Sequence, residues 1–122
     1  MATVLVVDDE RLILDVLRAM LVRAGHTVFG TSWGQAALEI CNQQPERINL
    51  VITGIHMPGM NGIELGKQLA THHPHMKVIY MSATPRKMLK ALKEDSVFLV
   101  KPFGEEVLLS AVNAALQATG EN

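Results

Sequence analysis

The sequence predicts an α/β fold, a doubly wound (βα)5 unit with a five-stranded parallel sheet, and three observations carry that prediction. Five short runs rich in β-branched residues alternate strictly with stretches whose apolar residues recur at helical spacing. That richness in β-branched residues suits strands buried on both faces. No repeat, low-complexity tract or internal linker interrupts the 122 residues, so residues 1–122 read as one domain. Strand-helix alternation of this kind requires right-handed crossovers and a sheet covered on both sides.

The elements follow in order. Residues 4–7 form the first strand, and Ile13, Val16, Leu17, Met20, Leu21 and Ala24 make the apolar stripe of the first helix, closed by Gly25. Residues 27–31 are the second strand; Ala36, Ala37, Ile40 and Cys41 mark the second helix. The third strand spans 48–53, and Asn61 with Glu64 is a capping pair that opens the third helix. The fourth strand spans 77–81, followed by a short basic helix over about 85–93. The fifth strand, 97–100, leads into a helix over 105–117 with Leu108, Ala111, Val112, Ala115 and Leu116 on its inner face. Residues 118–122 read as a frayed end or the start of a linker.

Composition narrows the function classes. Eleven Lys plus Arg against 12 Asp plus Glu leave the chain near neutral, which argues against general affinity for nucleic acid or anionic lipid. The single cysteine, Cys41, excludes an internal disulfide and sits at helical spacing from Ala37, as core filler rather than a reactive thiol. No signal-like start or apolar run of about 18 residues is present, so a soluble cytoplasmic domain is expected.

In such sheets ligands meet the carboxyl ends of the strands. The first strand ends in Asp8, Asp9 and Glu10, the third in Thr53 and Gly54, the fourth in Ser82 and Ala83, and the fifth in Lys101 and Pro102. Taken singly, Asp9 could cap a helix, Ser82 satisfy a turn and Lys101 be solvated. Together on one rim, an acidic pair, a hydroxyl and an ammonium are the equipment for holding Mg2+ and a phosphoryl group.

Four motifs then carry a resemblance: "VLVVDDE" at 4–10, "MPGMNG" at 57–62, "YMSA" at 80–83 and "FLVKPF" at 98–103. In order and spacing the chain resembles a response-regulator receiver domain of two-component and phosphorelay systems, over essentially its whole length. The resemblance implies a flavodoxin-like strand order 2-1-3-4-5 and a module that is not an enzyme. It implies Asp8, Asp9 and the His56 backbone carbonyl as ligands of Mg2+, Ser82 and Lys101 as the groups that meet the phosphoryl group, Phe98 as the aromatic switch, and a cis Lys101-Pro102 bond. Its partners would be a sensor histidine kinase, a phosphotransfer protein or an effector domain. A homodimer would form through the fourth helix, fifth strand and fifth helix. That surface departs from the family pattern, because the segment before Lys101 is tight; Arg86, Lys87, Lys90 and Lys93 make it basic.

The larger departure is Gly54. Three places before Met57-Pro58 the family carries its phosphoacceptor aspartate, and glycine cannot form an acyl phosphate. The carboxylate that would bind the metal directly is lost with it, so Mg2+ binding should be weakened. Two carboxylates about 4 Å apart repel by about 4 kcal/mol at an effective dielectric near 20. Removing a third relaxes the demand for a cation, and Lys101 is expected to contact Asp8 or Asp9 directly. Thr53 should point away by strand alternation, and the His56 ring is expected to be solvated rather than phosphorylated.

Other readings differ in class. A small Mg2+-dependent phosphohydrolase would use an acid after the first strand with Glu10 two places on, but leaves "MPGMNG" and "KPF" unexplained. An ordinary receiver whose aspartate was substituted would read the same. His72, His73 and His75 are expected in a solvated connection rather than a metal cluster, and Trp33 is expected to pack at an edge.

Overall fold

The structure, a computed structural model, describes residues 1–118; the expected tail falls outside them apart from Ala118. Five strands, β1 (Thr3–Val7), β2 (Thr27–Thr31), β3 (Leu50–Gly54), β4 (Lys77–Ser82) and β5 (Val97–Val100), form one parallel sheet in the order β2-β1-β3-β4-β5. Four α-helices accompany them: α1 (Arg11–Arg23), α2 (Gly34–Gln43), α3 (Gly62–His72) and α4 (Glu105–Ala118). No helix among the described residues is long and apolar enough to cross a membrane.

Strand alternation divides the core. Val4, Val6, Leu50, Ile52, Ile79 and Met81 face Leu17 and Leu21 of α1 and Leu108 and Val112 of α4. Leu5, Val7 and Val51 face Ala37 and Cys41 of α2 and Leu65 and Leu69 of α3. Each fully buried leucine contributes about 1.5–3 kcal/mol. Burial raises the Cys41 thiol to about 11, in keeping with an inert thiol. In α1 only Leu17 and Leu21 of the expected stripe are buried, and Val16 is 41% exposed. The helix ends as its sequence requires. Gly25 takes φ of 98°, its N–H donates to the Val22 carbonyl at 3.0 Å, and the His26 N–H donates to the Leu21 carbonyl at 3.0 Å. The Asn61 side chain caps α3 by accepting from the Glu64 N–H at 2.9 Å.

The expected fourth helix does not form. Pro85 is followed by a single 3-10 turn, Arg86–Met88, and an irregular return to β5. Two causes are visible. Lys87, Lys90 and Lys93 recur at three-residue spacing and would align like charges on a helix too short to stand alone. The Arg86 guanidinium instead donates to the carbonyls of Lys93, Glu94 and Ser96, which folds the segment back on itself.

Candidate functional site

The sheet's carboxyl edge gathers the residues named from the strand ends. β1 delivers Asp8 into the interior, where it is 1% exposed. Its Oδ1 accepts from the Glu10 N–H at 2.9 Å, and this tight turn leaves Asp9 exposed. Glu10 stands at the N-terminus of α1, but its carboxylate makes no capping bond. It reaches across the rim instead.

Lys101, one residue beyond β5, is anchored by its own N–H to the Ser82 carbonyl at 2.9 Å. Its Nζ donates to Asp8 Oδ2 at 2.7 Å and to Glu10 Oε1 at 3.2 Å. The lysine therefore meets Asp8 as expected, but its second acid is Glu10 and not Asp9. Burial by itself would lower the ammonium's pKa; the hydrogen bond and charge of Asp8, followed by those of Glu10, outweigh it and hold Lys101 above the usual lysine value. The Lys101-Pro102 bond is cis.

Gly54 closes β3 directly beneath this ion pair. A Cβ built there would lie 3.0 Å from Asp8 Oδ2 and 3.4 Å from its Cγ. The Asp8 carboxylate thus leans into the direction a side chain at 54 would take. Gly54 has no positive φ, so its backbone conformation does not demand glycine. Its carbonyl oxygen does demand one at the next turn: a Cβ on Gly62 would overlap it, so α3 starts against the end of β3 only because Gly62 is bare. The Gly62 N–H donates to the Ile55 carbonyl at 2.9 Å.

The remaining groups are arranged as follows. Ser82 is buried, and its Oγ accepts from the Thr84 N–H at 3.0 Å. The exposed His56 ring is bonded through Nε2 to Thr84 Oγ1 at 3.2 Å, bridging the loops after β3 and β4. Thr53 Oγ1 donates to the Gly54 carbonyl at 2.8 Å. Phe98 is half-buried in β5, in register with Tyr80 of β4. Glu10, Ile55, His56, Ser82, Thr84 and Lys101 line a cavity of about 140 Å3, below the roughly 300 Å3 at which organic ligand sites begin.

The acidic donors implied for Mg2+ are turned to other partners in this arrangement. Both Asp8 oxygens are engaged, Oδ1 by a backbone N–H and Oδ2 by an ammonium, and Asp9 faces solvent. Among the described residues no three His, Cys, Asp or Glu side chains gather into one cluster, and Mg2+, which takes one or two carboxylates and keeps its waters, would have to draw Asp8 away from Lys101.

Two expectations away from the rim are corrected. His73 is buried, not solvated, and its Nε2 is bonded to Asn42 Oδ1 at 2.8 Å, while His75 Nε2 meets the Pro45 carbonyl at 2.7 Å. These rings tie the end of α3 to the end of α2. Trp33 is 58% exposed rather than packed. The residue missed at the site is Glu10's partnership with Lys101; the signal was present in "DDE", since a turn made by Asp8 brings the third acid, not the second, back over the strand end.

Comparison with known proteins agrees with the fold. Residues 4–113 match the family model described as response regulator receiver domain. The response regulator protein FleR of Pseudomonas aeruginosa is 33% identical over 114 residues, covering 91% of this chain and 24% of that protein. The DNA-binding transcriptional regulator NtrC of Azospirillum brasilense is 36% identical over 120 residues, 96% of this chain and 24% of its own length. The chain thus spans about a quarter of the length of these relatives. A response regulator receiver domain protein from Clostridium thermocellum superposes with a TM-score of 0.89 at 29% identity, covering 98% of both chains.

Proposed function

The chain belongs to the response regulator receiver domain family, a domain of two-component signalling, and we propose that it is a receiver that accepts no phosphoryl group and signals through what it binds. The observation that carries this reading is the rim above Gly54. The residue in the acceptor position offers no carboxylate, and the neighbouring Asp8 is held 2.7 Å from Lys101, the cation that would otherwise meet a phosphoryl oxygen. The ion pair supplies internally the charge balance that an acceptor aspartate and Mg2+ would share. Mg2+ is then held weakly and is not needed for the fold.

Without a phosphoryl group to shift populations, the resting conformation follows from packing around Ser82, Phe98 and Lys101. Receiver domains work with histidine kinases, phosphotransfer proteins and effector domains, and a protein of that kind, or a second copy of the chain, is the partner proposed here. The contact face is the side formed by the 3-10 turn, β5 and α4. A near-neutral charge supports protein rather than nucleic acid as partner. Hydrolase chemistry is disfavoured by the same geometry, because the acid after β1 is tied to Lys101 and the adjoining cavity is small.

Incubation with a small phosphodonor and Mg2+ tests the reading. The intact mass should stay unchanged; a stoichiometric gain of one phosphoryl group, mapped to Thr53, His56 or an acid of the rim, would overturn it.

A further inference from the structure

We propose that the free edge of β5 pairs antiparallel with β5 of a second copy of this chain, joining two sheets into one. This rests on the reading of the β5 side as the contact face. β5 ends the sheet, with β4 on one flank only. The bond from the Lys101 N–H to the Ser82 carbonyl fixes the phase of the ladder. With Val97 aligned to Ile79 and Val100 to Ser82, Val97 and Leu99 turn their backbone groups to β4, and Phe98 and Val100 turn theirs outward. Among the described residues no backbone or side-chain group meets those outward N–H and C=O groups.

Apart from its four-residue length and the Lys101-Pro102 pair that follows, the strand lacks the usual guards. Val97 is 41% and Val100 51% exposed, and no lysine, proline or bulge interrupts "VFLV". The preceding segment forms only a 3-10 turn and loop, with no helix to lie along the strand. Its own carbonyls are already used, since Ser96 accepts from Arg86. What stays open is the edge itself.

The occupant follows from symmetry and charge. Phe98 and Val100 flank Leu99 equally, so an antiparallel copy sets Phe98 against the partner's Val100 and the reverse, forming about four inter-chain hydrogen bonds. Before the strand Lys87, Lys90 and Lys93 outnumber Glu94 and Asp95; after it Lys101 is neutralised by Asp8 and Glu10, and α4 opens with Glu106 beside a Glu105 already paired with Arg23. Antiparallel pairing brings the basic end of one copy beside the acidic end of the other, whereas parallel pairing would set like with like. The contact is self-complementary and closes at two chains.

Sedimentation across a concentration series, with amide exchange on the same samples, tests the pairing. The dimer fraction should rise with concentration, and the Phe98 and Val100 amides should exchange about tenfold more slowly in the dimer while Leu99, already bonded to β4, does not change. Val100→Pro removes an N–H that β4 does not use, and Val100→Lys adds a guard at an exposed position; each should weaken association about tenfold or more. A chain that stays monomeric at every concentration would overturn the pairing and leave the contact face to a different protein partner. A dimer that survives both variants, or that protects amides elsewhere, would overturn strand pairing while leaving self-association in place.

Discussion

Lys101, 16% exposed at its side chain, neutralises a carboxylate that is almost wholly buried, and that asymmetry sets what its loss would do. Lys101→Met leaves Asp8 buried without a countercharge, so the unfolding free energy at neutral pH should fall by about 3 kcal/mol. Adding Asp8→Asn should recover most of it, and added Mg2+ should recover part. Chemical denaturation of the three proteins checks this, and an unchanged midpoint for Lys101→Met would show the ion pair to be idle. The raised pKa of Lys101 makes stability pH-dependent only at high pH: its stabilisation is complete below the usual lysine value and lost as pH climbs through the raised one. Two histidines work in the opposite sense. His26 accepts from the Ala2 N–H through Nδ1 at 3.1 Å, and burial, then the charge of the N-terminal amine, lowers its pKa below 6.5. Burial, then His75 and His72, lowers that of His73. A lowered pKa gives stability that is present above 6.5 and lost as pH falls through the folded value. Imidazole titration by NMR should place both midpoints below 6.5, with stability declining in that acid window; midpoints at or above 6.5 would contradict the assignment.

At the level of elements, the start of α3 and the segment before β5 depend on single residues. Gly62→Ala places a methyl against the Gly54 carbonyl, and because the obstacle is backbone the helix must shift, at a cost of about 1–3 kcal/mol. A thermal midpoint unchanged from the parent would refute that close approach. Arg86→Ala removes three donors to the carbonyls of Lys93, Glu94 and Ser96. Amide exchange should quicken across 86–96 while global stability changes little, because the bonds are local. The contrast between these two elements explains what the sequence could disclose. Strands 27–31 and 97–100 were legible to the residue because a run of β-branched and aromatic residues has few other uses. Leu89 and Leu92 around 85–93 suit a helix equally well, and the outcome was decided by a guanidinium whose targets lie seven to ten positions away. The same limit applied at the rim. Strand ends placed Asp8, Ser82 and Lys101 together, but the choice of Glu10 over Asp9 depended on a two-residue turn that only Asp8 Oδ1 makes.

Across the whole molecule, the sheet order sets β1 and β3 side by side and carries Lys101 over from the edge strand, so a glycine at the end of β3 is felt by residues 46 positions earlier and 47 later. The central claim is that this receiver's rim is otherwise equipped and lacks only its nucleophile, with the Lys101–Asp8 pair closing over the gap. Gly54→Asp tests it most directly. The new Cβ falls 3.0 Å from Asp8 Oδ2, so the carboxylate must give by a few tenths of an ångström, which an ion pair at a partly open rim can do. The measurement is intact mass after a small phosphodonor and Mg2+, taken side by side on the parent chain and the variant. The account predicts no added phosphoryl group on the parent and one, labile as an acyl phosphate, on folded Gly54→Asp. A phosphorylated parent, or a folded variant that remains inert, would contradict it.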